Sequence, residues 1–545
     1  VTALRARWLG RLPYREAWDL QRAFHEGRAS GRAAADYLLL LEHPPTYTLG
    51  TGADEANLLA PAGELAGRGA EVLRVDRGGD VTYHGPGQLV GYPIVHLGER
   101  PDVVAYVRRL ERGLIGALAD LGLESWTEPG YTGVWTEQGK VAAIGVRVAR
   151  GVTMHGFAIN VADDLDGFRD IVPCGLAGRP VASVSGLAGR RVSIEEMVEA
   201  VVPHFVAAFG HAGVETQAAA YPPGSGRKDH SFEVDRLVAA GTFTPQGRAA
   251  VPLTVGRRLA GEPDRPPWMR VRADLGAGYR SVRGLVEGLE LHTVCREAGC
   301  PNIYECWAAG TAAFLLLGEV CTRACSFCEV TTGRPGPPDP AEPERVAEAV
   351  ARLGLRHAVL TSVDRDDLPD GGAGVFAAAI RRIRERVPAC AVEVLVPDFK
   401  GDAAALGLVL EEKPEVLNHN VETVVRLQRE VRTSANYGRS LALLARARRV
   451  RPDGLVKSGL MVGLGETNEE VLGALADLRA VGVDIVTIGQ YLRPTARHRP
   501  IHRYAAPEEF DSFRAHGAAL GLRCVEAGPL VRSSYHAGEE RVAVG

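Results

Sequence analysis

Cys321-Thr-Arg-Ala-Cys325-Ser-Phe-Cys328 places three thiols on one short stretch, directly after the apolar run Ala312–Leu317. That run is the first of six. The others are His357–Val363, Ala391–Val396, Val416–Val421, Leu455–Val462 and Asp484–Gly489. Amphipathic stretches follow them in turn: Glu342–Leu353, Val375–Val387, Asp402–Glu411, Ser434–Val450, Asn468–Ala480 and Pro507–Leu520. Strands covered on both faces read as continuous apolar runs, and strand–helix alternation predicts a parallel sheet. The expected closure is a curled, partly open (β/α)6 barrel of the α/β class. Such folds carry their chemistry on the loops after the strands' carboxyl ends, which is where this sequence puts its thiols.

Three thiolates on one tight loop suit three irons of a 4Fe–4S cluster and leave the fourth iron open. A structural zinc would call for four closed ligands. A second triplet lies just upstream in Cys295-Arg-Glu-Ala-Gly-Cys300-Pro-Asn-Ile-Tyr-Glu-Cys306-Trp, and two such groups suggest two clusters. The downstream triplet resembles the signature of the radical S-adenosylmethionine superfamily. Ser458-Gly-Leu-Met-Val-Gly-Leu-Gly-Glu466 resembles that superfamily's later glycine-rich segment. The upstream triplet is similar to the auxiliary motif of lipoyl synthases. So are Thr361-Ser-Val-Asp-Arg-Asp-Asp-Leu-Pro-Asp-Gly-Gly372, Leu395-Val-Pro-Asp-Phe-Lys-Gly401, Asn418-His-Asn-Val-Glu-Thr423, Gly489-Gln-Tyr-Leu-Arg-Pro-Thr495 and Arg532-Ser-Ser-Tyr-His-Ala537.

The resemblance implies S-adenosylmethionine and two 4Fe–4S clusters. Cys321, Cys325 and Cys328 would hold the first. Cys295, Cys300 and Cys306 would hold the second, with Ser534, rather than Ser533, as its fourth ligand. It further implies a deoxyadenosyl radical that removes hydrogen from C6 and then C8 of an octanoyl chain, with the auxiliary cluster giving up both sulfurs. Cys390 and Cys524 match neither motif and read as ordinary buried thiols.

The first 220 residues have a different texture. Pro101–Leu121 and Ser193–Phe209 read as helices, the second opening on a capping box formed by Ser193 and Glu196. Val72–Val75 and Leu89–His96 read as strands, and Val141–Val148 with Thr153–Asn160 as a hairpin turning at Ala149-Arg150-Gly151. This is an α+β pattern. The region contains one cysteine, Cys174, and one lysine, Lys140. A nucleophilic thiol needs thiolate character, which a neighbouring cation can supply.

Arg77-Gly-Gly-Asp-Val-Thr-Tyr-His-Gly-Pro-Gly-Gln-Leu-Val-Gly-Tyr-Pro93 closely resembles the hallmark of octanoyltransferases acting on lipoyl domains, which share the biotin/lipoate-protein-ligase fold. The resemblance implies that Cys174 carries an octanoyl thioester while Lys140 depresses its pKa and shuttles a proton. His84 becomes a third catalytic candidate. Arg77, Gly78, Gly79, Asp80, Val81, Thr82, Tyr83 and His84 would line the acyl tunnel with Ala143, Ile144, Gly145, Gly156, Phe157 and Ala158.

Composition bounds the rest. At roughly 150 residues per domain, 545 residues exclude a single small module. The expected layout is an octanoyltransferase domain over 1–220, a linker over 221–260 around Tyr-Pro-Pro-Gly-Ser-Gly, and a lipoyl synthase domain over 261–545. A net charge of −4 supplies no basic field for nucleic acid. The longest apolar runs, such as Tyr37–Leu41, are too short to span a bilayer, and no signal peptide is read at the start. A cytoplasmic enzyme is expected. Its implied partners are octanoyl-acyl carrier protein, lipoyl domains of 2-oxoacid dehydrogenase complexes and the glycine cleavage H protein, and an electron donor such as flavodoxin or ferredoxin. Two alternatives stay open at this point. One is an ATP-dependent lipoate ligase joined to the synthase, and the other a non-catalytic iron–sulfur electron carrier with an acyl-binding module.

Overall fold

The computed structural model describes residues 3–162, 164–176, 178–219, 263–269, 275–308, 312–535 and 537–538. The expected linker 221–260 lies outside them. The chain divides into two compact units, Val1–Ala219 and Ala220–Gly545.

The first unit is built on an eight-stranded mixed sheet. Its strands run in the order Val214–Ala218, Leu4–Arg11, Asp36–Glu42, Gln88–Ile94, Val152–Asn160, Gly139–Ala149, Tyr131–Thr136 and Trp126–Glu128. Asp36–Glu42 is buried along its whole length because layers cover both of its faces. Helices Val103–Asp120 and Ile194–Phe209 pack on one face, where Leu38, Leu40, Leu114, Leu118, Val201 and Phe205 form the core. Helix Tyr14–Ala29 packs against strand Val152–Asn160. A small sheet of Glu71–Arg74, Thr46–Leu49 and Val81–His84 completes the unit.

The expected hairpin is present but tighter than three residues. Ala149 pairs with Val152, leaving Arg150-Gly151 as the turn, and both have positive φ (50° and 73°), as a two-residue primed turn requires. Ser193 caps its helix by accepting from the Glu196 N–H at 3.1 Å. The Glu196 carboxylate, however, pairs with Arg190 at 2.6 Å, a charge-assisted bond that competes with the expected capping box.

The second unit holds another eight-stranded sheet, ordered His292–Thr293, Ala313–Leu316, His357–Ser362, Ala391–Leu395, Val416–Asn418, Leu455–Val462, Ile485–Gln490 and Cys524–Gly528. All neighbours are parallel except the first pair. Helices Glu342–Leu353, Ala373–Arg386, Ala403–Glu411, Tyr437–Val450, Asn468–Ala480 and Pro507–Ala519 follow the six expected strands. The sheet is thus a partial barrel of six β/α units. An antiparallel strand extends one edge and a seventh parallel strand, half-buried and short, extends the other. Among the described residues, no helix is long and apolar enough to cross a membrane.

Two candidate active sites

In the first unit, the turn Pro173–Gly175 carries Cys174 at φ 56°, a left-handed conformation that non-glycine residues adopt only under local constraint. Lys140 opens strand Gly139–Ala149. Its N–H donates to the Pro180 carbonyl and its carbonyl accepts from the Ala182 N–H, each at 3.0 Å. The lysine stem is buried, and Nζ reaches the Cys174 Sγ at 3.4 Å.

Both groups face a cavity of about 450 Å³. Arg77, Gly78, Gly79, Asp80, Thr82, His84, Ala143, Ile144, Gly145, Gly156, Phe157 and Ala158 line it with them. Val81 and Tyr83 do not. Successive side chains of a strand point to opposite faces, so Val81 packs with Tyr47, Leu49 and Ile171. The Tyr83 ring likewise lies 5.1 Å from that of Tyr47. The expected lining did not include Tyr14 and Tyr131, which reach the cavity from elements distant in the chain, nor Val90, Tyr92 and Leu176, which neighbour the named residues in the chain.

The inner wall is polar but largely uncharged. Burial drives His84 well below the ordinary histidine value, and its Nδ1 bonds the Gln88 side-chain oxygen at 2.8 Å. His43 falls to about 4 through burial. Its Nδ1 donates to the Leu12 carbonyl, so its Nε2 accepts from the Tyr92 hydroxyl at 2.6 Å. Burial lifts Tyr14 to about 12, and its hydroxyl lies 3.4 Å from His155 Nδ1. His155 is also lowered by burial, and its Nε2 meets Asp76 at 2.8 Å. Arg77 is buried, spends its donors on Thr48 and the Gly78 carbonyl, and has no ion-pair partner among the described residues. Lys140 and Arg77 are the cations of a lining that also carries the Asp80 carboxylate, with uncharged groups over the rest of the inner wall.

In the second unit, Cys321, Cys325 and Cys328 lie on the loop after strand Ala313–Leu316, at its carboxyl end. Thr322 bonds the Asp364 carbonyl through both its N–H and its hydroxyl. Arg323 grips Asp366 with two bonds of 2.8 Å and Asp398 with one of 2.7 Å. Burial pushes Cys321 up to about 12 and Cys328 to about 11, and raises Cys325 strongly, with neighbouring thiols and Asp364 adding to the effect. Three soft thiols on a braced loop, near enough to influence one another's charge, fit a three-cysteine iron–sulfur site.

Cys295, Cys300 and Cys306 also converge. Burial lifts Cys295 to about 12, with Cys300 and Cys306 contributing. The chain's terminal motif returns to this group. Asn302 donates to the Leu530 carbonyl at 2.7 Å, Arg532 lies beside Cys300, and the Tyr535 hydroxyl bonds the Glu305 carboxylate at 3.1 Å. Ser533 accepts from Asn420 at 2.7 Å, which leaves Ser534 between two anchored neighbours. The loops that carry the two triplets meet where the Glu329 carboxylate, next to Cys328, packs against Gly299, next to Cys300. Cys390 is buried before strand Ala391–Leu395, and Cys524 starts the edge strand.

Residues 13–206 match the model of the lipoyl protein ligase A/B catalytic domain, and residues 315–478 that of the radical SAM superfamily. The chain is 55% identical over 311 residues to the lipoyl synthase of Rubrobacter xylanophilus, covering 57% of this chain and 95% of that protein. It is 57% identical over 276 residues to the lipoyl synthase of Thermus thermophilus, covering 50% of this chain and 85% of that one. Among solved structures, a bipartite lipoate protein ligase from Thermoplasma acidophilum aligns at 18% identity with a TM-score of 0.33, over 41% of this chain and 89% of that chain. Methylornithine synthase aligns at 15% identity with a TM-score of 0.29, over 48% and 85%.

Proposed function

Given that the chain belongs to the lipoyl synthase family and carries a lipoyl protein ligase A/B catalytic domain, we propose that it performs two consecutive steps of lipoate assembly. The first unit moves an octanoyl group from acyl carrier protein to a lysine of a lipoyl domain. The second inserts sulfur at C6 and C8 of the attached chain. The observation that carries the first step is the Lys140 ammonium 3.4 Å from the Cys174 sulfur, inside an acyl-sized cavity. An adenylating ligase has no use for that pair.

The Cys174 thiolate attacks the carrier's thioester carbonyl, and the carrier thiolate leaves with the Lys140 proton. Neutral Lys140 then takes a proton from the acceptor amine as that amine displaces Cys174, so an amide forms and the starting charges return. The neutral histidines and tyrosines of the wall accept the acyl chain without stranding a charge against it.

In the second unit, Cys321, Cys325 and Cys328 would hold the cluster that serves S-adenosylmethionine, and Cys295, Cys300, Cys306 and Ser534 a second cluster. These groups, when bound, supply the radical and the sulfur. The protein's own contribution is to brace the first loop through Arg323 and to hold the terminal segment beside the upstream triplet through Arg532 and Tyr535, from which Ser534 would supply the fourth ligand. A single substrate domain meeting both sites, in the cytoplasm and with a flavodoxin- or ferredoxin-like reductant, completes the reading. Tethering would raise the local concentration of the intermediate.

The test is octanoylation of a lipoyl domain from octanoyl-acyl carrier protein without ATP. The expected result is an octanoyl adduct on Cys174, with transfer falling about 10³-fold or more in Cys174→Ser. Transfer that requires ATP, or proceeds without the adduct, overturns the proposal.

A further inference from the structure

A thiol held at positive φ on a short turn needs something to hold it there, and Asp80 touches the turn from both sides. The Asp80 Oδ1 accepts from the N–H groups of Val81 (2.6 Å) and Asp54 (3.2 Å), and Oδ2 accepts from the Asn57 side-chain amide at 2.6 Å. Among the described residues, each hydrogen-bond partner of this carboxylate is a donor. Asn57 passes the restraint on, because its carbonyl accepts from the Val172 N–H at 2.8 Å, two residues before the thiol. Leu58 forms a bridge with Ile171 beside it. On the other flank Gly175, at φ 69°, packs directly on Asp80, since a Cβ there would lie 2.6 Å from Oδ2.

We propose that Asp80 is the positioning residue of the nucleophile, holding the Cys174 turn through Asn57 and Gly175 so that the thiol meets Lys140, rather than a contact for the acyl substrate. The inference rests on the reading of Cys174 as the acyl-accepting thiol. It adds the element that keeps the thiol and the ammonium in register, one on a turn and the other on a strand. Among the described residues, the charged groups placed about the turn are Lys140, 3.4 Å from the thiol, Arg77, and Asp80, which packs on Gly175.

That charge set gives the test a sign. If Asp80 mattered only as a nearby anion, neutralising it would favour the thiolate and move the alkylation pH profile of Cys174 down. If it positions the turn, neutralising it separates thiol from ammonium and moves the profile up. The measurement is the rate of Cys174 alkylation by iodoacetamide in the full chain against pH, followed on the Cys174 peptide by mass spectrometry.

Asp80→Asn and Gly175→Ala should each raise the midpoint by about one pH unit and slow alkylation near neutrality by about tenfold. The double change Asp80→Asn with Asn57→Asp should restore the profile, because it swaps the amide and the carboxylate and keeps one donor facing one acceptor. The amide oxygen introduced at position 80 would still accept from the Val81 and Asp54 N–H groups. A midpoint that stays or falls in Asp80→Asn, or a raised KM for the acyl donor with an unmoved profile, overturns the proposal. Should Asp80→Asn fail to fold, Gly175→Ala carries the same test, because it spares the carboxylate. Alkylation uses no acyl donor, so failure of the transferase reading would appear as absent acyl transfer in wild type while this comparison still reads out.

Discussion

Cys174 and the six clustered cysteines are the same functional group handled in opposite ways. Cys174 is half-buried, is the one cysteine before residue 295, and has an ammonium 3.4 Å away. The six are crowded in threes, burial pushes Cys295, Cys321 and Cys328 up, and Asp364 adds an anion beside Cys321. The guanidiniums of Arg432 and Arg532 pull Cys325 and Cys300 back without overcoming that burial. A lone thiol with an ammonium in contact is suited to act as a nucleophile, whereas buried thiols grouped in threes, with cations too weak to offset their burial, are suited to have their charge balanced by metal.

The largest effect tests whether the two thiol classes are independent. Wild-type protein prepared without oxygen should carry about eight irons per chain if both triplets hold cubane clusters. Cys325→Ala should lose about half of that iron and all deoxyadenosine formation, while acyl transfer continues. Cys174→Ser should do the reverse. One substitution that abolished both activities in a folded chain, measured by iron assay and acyl transfer side by side, would break the comparison.

A smaller effect ranks the seven thiols directly. In metal-free protein at about pH 7, iodoacetamide should label Cys174 at least about tenfold faster than any triplet cysteine. The raised thiols must also give up protons when they take metal. Iron uptake should therefore release acid and weaken as pH falls, by up to about tenfold per pH unit for each proton released. Equal labelling of all seven, or metal uptake indifferent to pH, would remove the distinction.

How far these sites were legible in the sequence follows from how local their signals are. The six barrel strands read clearly because parallel strands covered on both sides are continuous apolar runs. His292–Thr293 and Cys524–Gly528 escaped, being edge strands too short and too half-buried to show a pattern. Motif residues could be named from their neighbours in the chain, but contiguity over-assigned Val81 and Tyr83, which strand alternation turns away from the cavity. Tyr14 carried no local signal, since only tertiary packing brings its helix to the same wall as the central strand that holds Tyr92. Lys140 and Cys174 were noticeable by rarity, and the 34 residues between them gave no hint of a 3.4 Å contact.

The smallest effect asks whether carboxylates obey the rule that separates the thiols. Asp364, buried beside Cys321, is lifted to about 6 by that burial. Asp76, on the wall of the acyl chamber's supporting network, is held down at about 2, first by the bond from His155 and further by Arg147. His155 is lowered by burial, and its Nε2 lies 2.8 Å from the Asp76 carboxylate. A folded value below the unfolded one means stability that is present above pH about 4 and lost as pH falls through about 2. Because Asp76 is a third exposed, solvent screening reduces the gain to about 1 kcal/mol. Asp76→Asn should therefore lower the first unit's melting temperature by about 2–4 °C near neutrality. The gap between variant and wild type should close as both are acidified toward pH 2, and near neutrality the variant's iron content should match that of wild type. A gap that widens on acidification would show that donors around a carboxylate do not play the part here that Lys140 plays for Cys174.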